Sequence, residues 1–183
     1  MAIGSMIAGG IGIAAAAGVG VSMLRAATTY KAKPMKDAEG YPDEKADVER
    51  YINNLSKAIQ IPTISNFNDD LVDWSKFDEF HAFLEEAYPL IHSKLEKTII
   101  SKKSLVFHWK SAHPEKEPIC MLAHQDVVPV SKGTEEDWTY PAFSGTVADG
   151  FVWGRGALDI KNHLIGVMEA VETLLEEGYV PER

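Results

Sequence analysis

Only one cysteine, Cys120, occurs in the 183 residues, so no internal disulfide can staple the fold and stability must come from an ordinary core. Clustered basic residues are missing too. The formal net charge is -9, with 18 Lys and Arg against 27 Asp and Glu, and no run of Lys and Arg gathers the positive field that a phosphate backbone needs. A nucleic-acid partner is therefore excluded. No internal repeat is visible, and charge of either sign is absent from Met1 to Leu24. What is present, 45% apolar and 25% charged residues, is a normal globular mixture long enough for one domain with its own core.

The uncharged stretch 1–24 is set apart from the rest by composition. Its length suits a bilayer crossing of about 20 residues, although Gly and Ala make it weakly apolar. No basic n-region precedes it, which favours an uncleaved signal anchor over a cleaved signal peptide. The first charges, Arg25, Lys31, Lys33 and Lys36, would then face the cytoplasm by the positive-inside rule, which conflicts with a lumenal folded domain. A Gly/Ala-rich disordered or transit-like tail is the plainer alternative. The expected location is the secretory pathway, membrane-anchored or secreted. Residues 25–45 read as a polar linker and 46–183 as the folded part. Asn54-Leu55-Ser56 forms a glycosylation sequon inside a predicted helix, where such triplets also arise by chance.

Patterning in the folded part predicts an α/β domain of layered helices and sheet. Val48, Tyr51, Ile52, Leu55 and Ile59 share one helical face, and Pro62 ends that helix. Asp73 can cap a second helix whose face is Phe77, Phe80, Leu84, Tyr88, Ile91 and Leu95, with Pro89 kinking or dividing it. Short runs of β-formers follow at Thr98–Ile100, Leu105–Trp109 and Ile119–Ala123. Beyond them, Asp149-Gly150 marks a hairpin turn before a strand Phe151–Trp153. A last helix begins near Asp159, carries Leu164, Val167, Met168, Val171, Leu174 and Leu175 on one face, and stops at Gly178.

Two places carry chemistry. His124 and Asp126, at the end of the run Ile119–Ala123, would face the same side of an extended strand because side chains alternate there with a period of two. Such a pair suits a metal-binding imidazole beside an orienting carboxylate, and equally a solvated pair with no ligand. Asp159, just after the glycine-flanked Arg155, would sit at a helix N-terminus, where it can cap or serve as a ligand.

The ordered set HQDVVPV, W-x-x-P-A-F-S-G and DGFVWGRGALDIKN, lying between His124 and Asn162, resembles the binuclear zinc aminoacylase and carboxypeptidase family. Its likeness is to the carboxypeptidase S branch, which includes secreted enzymes that make and hydrolyse N-fatty-acyl amino acids. The resemblance runs from about Ala46 to Arg183. It implies a partial zinc-peptidase catalytic domain in which His124 ligates one zinc, Asp126 orients the imidazole, and Asp159 bridges two zinc ions. Trp138, Pro141, Phe143, Gly154, Arg155, Gly156 and Lys161 would shape the loops around that site.

The implied reaction is hydrolysis of the amide bond of an N-acyl amino acid or small peptide by a zinc-activated water. The family's Glu-Glu pair, which supplies the general base, and its later ligands have no counterpart in this sequence. The chain is thus expected to be an N-terminal part, inactive alone, with homodimerisation left to the complete protein. Glu85-Glu86 and Glu176-Glu177 read as solvated helix faces, and His81, His92, His108, His113 and His163 as residues without a ligand role. Two readings of other classes stay open: a membrane-tethered binding module that keeps a half-site, and a phosphate binder using Gly154 and Gly156. The second lacks the phosphate-loop spacing.

Overall fold

The computed structural model describes residues 2–29 and 47–183, with side chains of the first stretch described from Ala16 onward. The chain divides into two units, Met1–Glu44 and Lys45–Arg183. The first contains helix α1 (Ala2–Thr29), in which the Ser22 and Thr28 hydroxyls turn back onto the carbonyls of Gly18 and Leu24 at 2.9 and 2.7 Å. Among the described residues no helix is long and apolar enough to cross a membrane. The membrane segment expected over 1–24 falls largely on side chains outside the described ones, and the expected linker lies outside them from position 30 onward.

The second unit is a mixed helix and sheet fold. Asp47 caps helix α2 (Val48–Gln60) by accepting from the Arg50 N–H at 2.9 Å, and Asp73 caps α3 (Trp74–Ala87) in the same way from Ser75 at 3.1 Å. As its lack of a donor requires, Pro89 divides the helical run and takes the first turn of a separate helix α4 (Pro89–Lys94). Strands β1 (Glu96–Ile100) and β2 (Ser104–His108) form an antiparallel hairpin. A second hairpin, β3 (Val147–Ala148) and β4 (Phe151–Val152), turns through Asp149 and Gly150, both at positive φ. Helix α5 (Asn162–Glu176) follows.

The core lies where α2, α3, α4 and α5 meet. Leu55, Ala58 and Ile59 of α2 pack with Phe80, Leu84, Tyr88 and Ile91, and with Ile165, Met168, Val171 and Leu175 of α5. Each large side chain buried there contributes about 1.5–3 kcal/mol relative to exposure. Two helix faces differ from the expected ones. Val48 points to solvent while Asn54 is buried, and on α5 the carboxylates Glu169 and Glu172 are buried while Leu164, Val167 and Leu174 stand only partly covered.

The buried carboxylates explain the rotation. Glu169 accepts from Arg50 Nε (2.6 Å), Asn54 Nδ2 (2.7 Å) and the Tyr88 hydroxyl (2.9 Å). Glu172 accepts from the backbone N–H groups of Leu90 and Ile91, both at 2.9 Å, which are orphan donors at the start of α4. Because Asn54 is buried and engaged, its sequon is closed in the folded protein.

Two other expectations fail. Ile119–Ala123 is extended but forms no strand, since no neighbour among the described residues supplies the ladder that defines one; Ile119, Met121 and Leu122 are exposed. Four residues beyond that run, Val127 makes an isolated parallel bridge to Ile64. The last helix also starts later than expected. Ala157–Lys161 forms a widened turn in which Asp159 (φ -124°, ψ 94°) is not helical, so Asp159 makes no cap and α5 begins at Asn162. The Asp159–Ile160 peptide bond is cis.

Lys161 joins this turn to α2. Completely buried, it donates from Nζ to the carbonyls of Ala58 and Ile61, each at 2.7 Å, which lie at the otherwise unsatisfied end of that helix. Its ammonium also lies over the Phe80 ring, 4.8 Å from the centroid.

Glu172→Ala leaves two N–H groups unpaired in the interior and is expected to lower the unfolding free energy by about 2–4 kcal/mol, with Glu172→Gln intermediate, in urea denaturation. Lys161 makes stability depend on pH. Burial pushes its pKa down to about 7. An unfolded lysine keeps its proton to about pH 10.4, so between those values the unfolded state binds more protons and stability rises with pH, by up to about 1.4 kcal/mol per unit. Below pH 7 the contribution is constant. Urea midpoints measured with chelator present should show this slope in the wild type and its loss in Lys161→Met.

Candidate metal centre

The turn before α5 and the extended run after residue 118 meet at His124. Its Nε2 is 3.1 Å from Asp159 Oδ1, and its Nδ1 is 2.9 Å from the main-chain carbonyl of Asp126 and 3.3 Å from Asp126 Oδ1. All three residues expected at the site are therefore gathered at one place. The nearer partner of Nδ1 is the Asp126 carbonyl rather than its carboxylate, a difference from the expected orienting contact. A carbonyl can only accept, so Nδ1 carries a proton and donates it, which leaves Nε2 as the atom directed at Asp159.

Electrostatics at the ring follow from these contacts. Partial desolvation lowers the His124 pKa, but the hydrogen bond to the Asp126 carbonyl, the one to Asp159 and the charges of both carboxylates outweigh it, and the pKa stands above the ordinary histidine value. Asp159 is exposed and lines a cavity of about 250 Å³. His124, Asp126, Val127, Gly154, Arg155, Gly156 and Leu158 complete most of its wall.

The glycine-flanked segment is shaped by close approach. Gly156 has φ +87°, and a Cβ there would lie 2.7 Å from Val127 Cγ1, so no side chain fits without moving the residue that bridges to Ile64. Arg155 donates its backbone N–H to the Ala142 carbonyl at 2.6 Å and lays its guanidinium over Trp138, 5.1 Å from the ring centroid. Its Nε is buried without a hydrogen-bond partner among the described residues. Trp138, Tyr140 and Trp153 line a neighbouring cleft of about 310 Å³, which shares Gly154 with the first cavity. Pro141 and Phe143 line neither cavity, and Lys161 serves the fold from beneath.

The donor set suits zinc in kind. Two ligands on one tetrahedral zinc, with bonds of about 2.0–2.2 Å, stand about 3.3 Å apart, close to the 3.1 Å between His124 Nε2 and Asp159 Oδ1. In number it falls short. No group of three or more His, Cys, Asp or Glu side chains that could hold a metal ion occurs among the described residues.

The other histidines are engaged elsewhere or solvent-exposed. His81 meets Gln125 Oε1 at 2.9 Å, His92 the Tyr88 carbonyl at 3.0 Å, and His108 the Glu96 carboxylate at 3.2 Å. His113 lies beside Glu115 and Glu182, and His163 is exposed. Glu85 and Glu176 are surface residues paired with Lys97 and Arg50. Lys161, expected to shape the loops around the site, instead ties the turn before α5 to the end of α2. The buried roles of Glu169 and Glu172 carry no sequence signal beyond the apolar company each keeps within α5.

The family model described as peptidase family M20/M25/M40 matches residues 120–183. Carboxypeptidase S of Saccharomyces cerevisiae is 40% identical over 139 residues, covering 72% of this chain and 24% of that protein. The N-fatty-acyl-amino acid synthase/hydrolase PM20D1 of Mus musculus is 35% identical over 160 residues, covering 85% of this chain and 31% of that protein. Among solved structures, the M20 family metallo-carboxypeptidase Sso-CP2 from Sulfolobus solfataricus shares the fold with a TM-score of 0.53 at 21% identity, over 70% of this chain and 28% of that one. The chain thus spans about a quarter of the length of the curated relatives it matches. Family model and relatives agree in pointing to peptidase family M20/M25/M40 as what this chain is similar to, and the solved structure shares its fold.

Proposed function

We propose that the protein to which this chain corresponds is a zinc-dependent amide hydrolase acting on N-acyl amino acids or small peptides. The observation that carries this reading is the approach of His124 Nε2 to Asp159 Oδ1 at 3.1 Å, with Nδ1 held by Asp126. His124 and Asp159 would hold the metal, with Asp159 as the shared ligand of a two-zinc centre, and Asp126 holds the His124 imidazole through Nδ1. Zinc held there supplies a Lewis acid for the amide carbonyl and lowers the pKa of water toward neutrality. The names of carboxypeptidase S and of the N-fatty-acyl-amino acid synthase/hydrolase support the substrate class.

The division of labour along the chain follows the same reading. Residues 46–183 form part of the catalytic domain, 25–45 link it to the uncharged stretch 1–24, and that stretch directs the protein to the secretory pathway as an anchor or a cleaved signal. Homodimerisation belongs to the complete protein. With two donors brought together among the described residues, this chain alone holds zinc weakly and turns over no substrate.

Equilibrium dialysis should show zinc binding by the wild type that drops about tenfold or more in His124→Ala and Asp159→Asn. Hydrolysis of N-acyl amino acids should be absent from the 183-residue chain and present in a protein of its relatives' full length. Zinc affinity identical in wild type and both variants would sink the metal reading. A fold indifferent to metal would then favour a binding module that keeps a half-site.

A further inference from the structure

The stretch that presents His124 and Asp126 is fastened from behind. Thr63, which is 0% exposed, donates its hydroxyl to the Gln125 carbonyl at 2.5 Å. The Thr63 carbonyl accepts the Val127 N–H at 2.9 Å, and the Val127 carbonyl accepts the Ser65 N–H at 3.0 Å. Thus two residues of the segment that leaves α2, Thr63 and Ser65, hold both the carbonyl of Gln125 and the two polar backbone groups of Val127.

The Gln125 side chain adds ties to two other elements. Its Nε2 donates to the Lys103 carbonyl at 2.6 Å in the turn between β1 and β2, and its Oε1 accepts from His81 Nε2 of α3 at 2.9 Å. The partners fix the amide's orientation, since the Lys103 carbonyl can only accept. His124 and Asp126 line the cavity, whereas Gln125 between them does not and turns to Lys103 and His81.

We propose that Thr63 and Gln125 are positioning residues of the metal centre, setting the backbone from which His124 and Asp126 project without touching the cavity themselves. This rests on the reading of His124 as a metal ligand. The physical ground is rigidity. The 124–126 segment has no strand ladder of its own, so these side-chain bonds replace the pairing that would otherwise define its place.

The test uses the 183-residue chain with Thr63→Val, Thr63→Ser, Gln125→Met and, as a control for stability alone, Glu172→Gln. Zinc affinity is read by competition with a weak chromophoric chelator, and amide hydrogen exchange of residues 124–127 is read with chelator in excess. Thr63→Val and Gln125→Met should each weaken zinc binding about tenfold and speed that exchange by a similar factor, Thr63→Ser should retain both, and Glu172→Gln should lower the melting temperature with zinc affinity unchanged. Loss of zinc affinity that merely follows melting temperature across all four variants would overturn the proposal. Should the wild type bind zinc no better than His124→Ala, the ligand reading fails by itself. Exchange at 124–127 then decides whether these residues hold the segment, and unchanged rates in both variants would refute that.

Discussion

Two buried carboxylates on α5 determine how the helices of the folded unit sit together. A buried charge is costly unless its lone pairs are occupied, and Glu169 and Glu172 meet that condition only when α2, α3 and α4 stand where they do. Glu169 draws in Arg50 and Asn54 from α2 and Tyr88 from the joint between α3 and α4. Glu172 occupies the start of α4, where Pro89 has removed one donor and left others facing inward. Apolar burial supplies the bulk of the driving force here, while these hydrogen bonds select one packing among those that would bury similar area.

The candidate metal centre takes its place from the end of α2. The turn Ala157–Lys161 is anchored at both ends, because Lys161 reaches the end of α2 and Gly156 lies against Val127. Asp159 is carried on that turn. His124 comes from the other side, on a run held by the segment that leaves α2, so both donors are referred to the same helix terminus. A displacement of α2 would thus move both ligands, by different routes.

Local rules made much of this legible. The cap at Asp73, the break at Pro89, the turn at Asp149-Gly150 and the stop after α5 follow from the chemistry of single residues and their neighbours. Where partners lie far along the chain, those rules fail. Glu169 bonds Asn54 across 115 positions and Glu172 bonds Leu90 across 82, and a glutamate on an amphipathic helix otherwise reads as solvated. Ile119–Ala123 has the composition of a strand, but a strand exists only with a neighbour. Asp159 and His124, 35 positions apart, were associated through resemblance to a family rather than through any periodicity. Thr63 and Gln125 gave no signal, because their work is to hold backbone.

Asn54 bears on the history of individual molecules. Its side-chain amide donates to Glu169 and to the Tyr88 hydroxyl inside the packed helices, and Ser56 completes the acceptor triplet around it. Glycan attachment and closure of α2 against α5 are therefore mutually exclusive events at one amide nitrogen. Where transfer of the oligosaccharide competes with folding, closure of the core withdraws the acceptor. A sugar there would mark a molecule that had lost its chance to form the core.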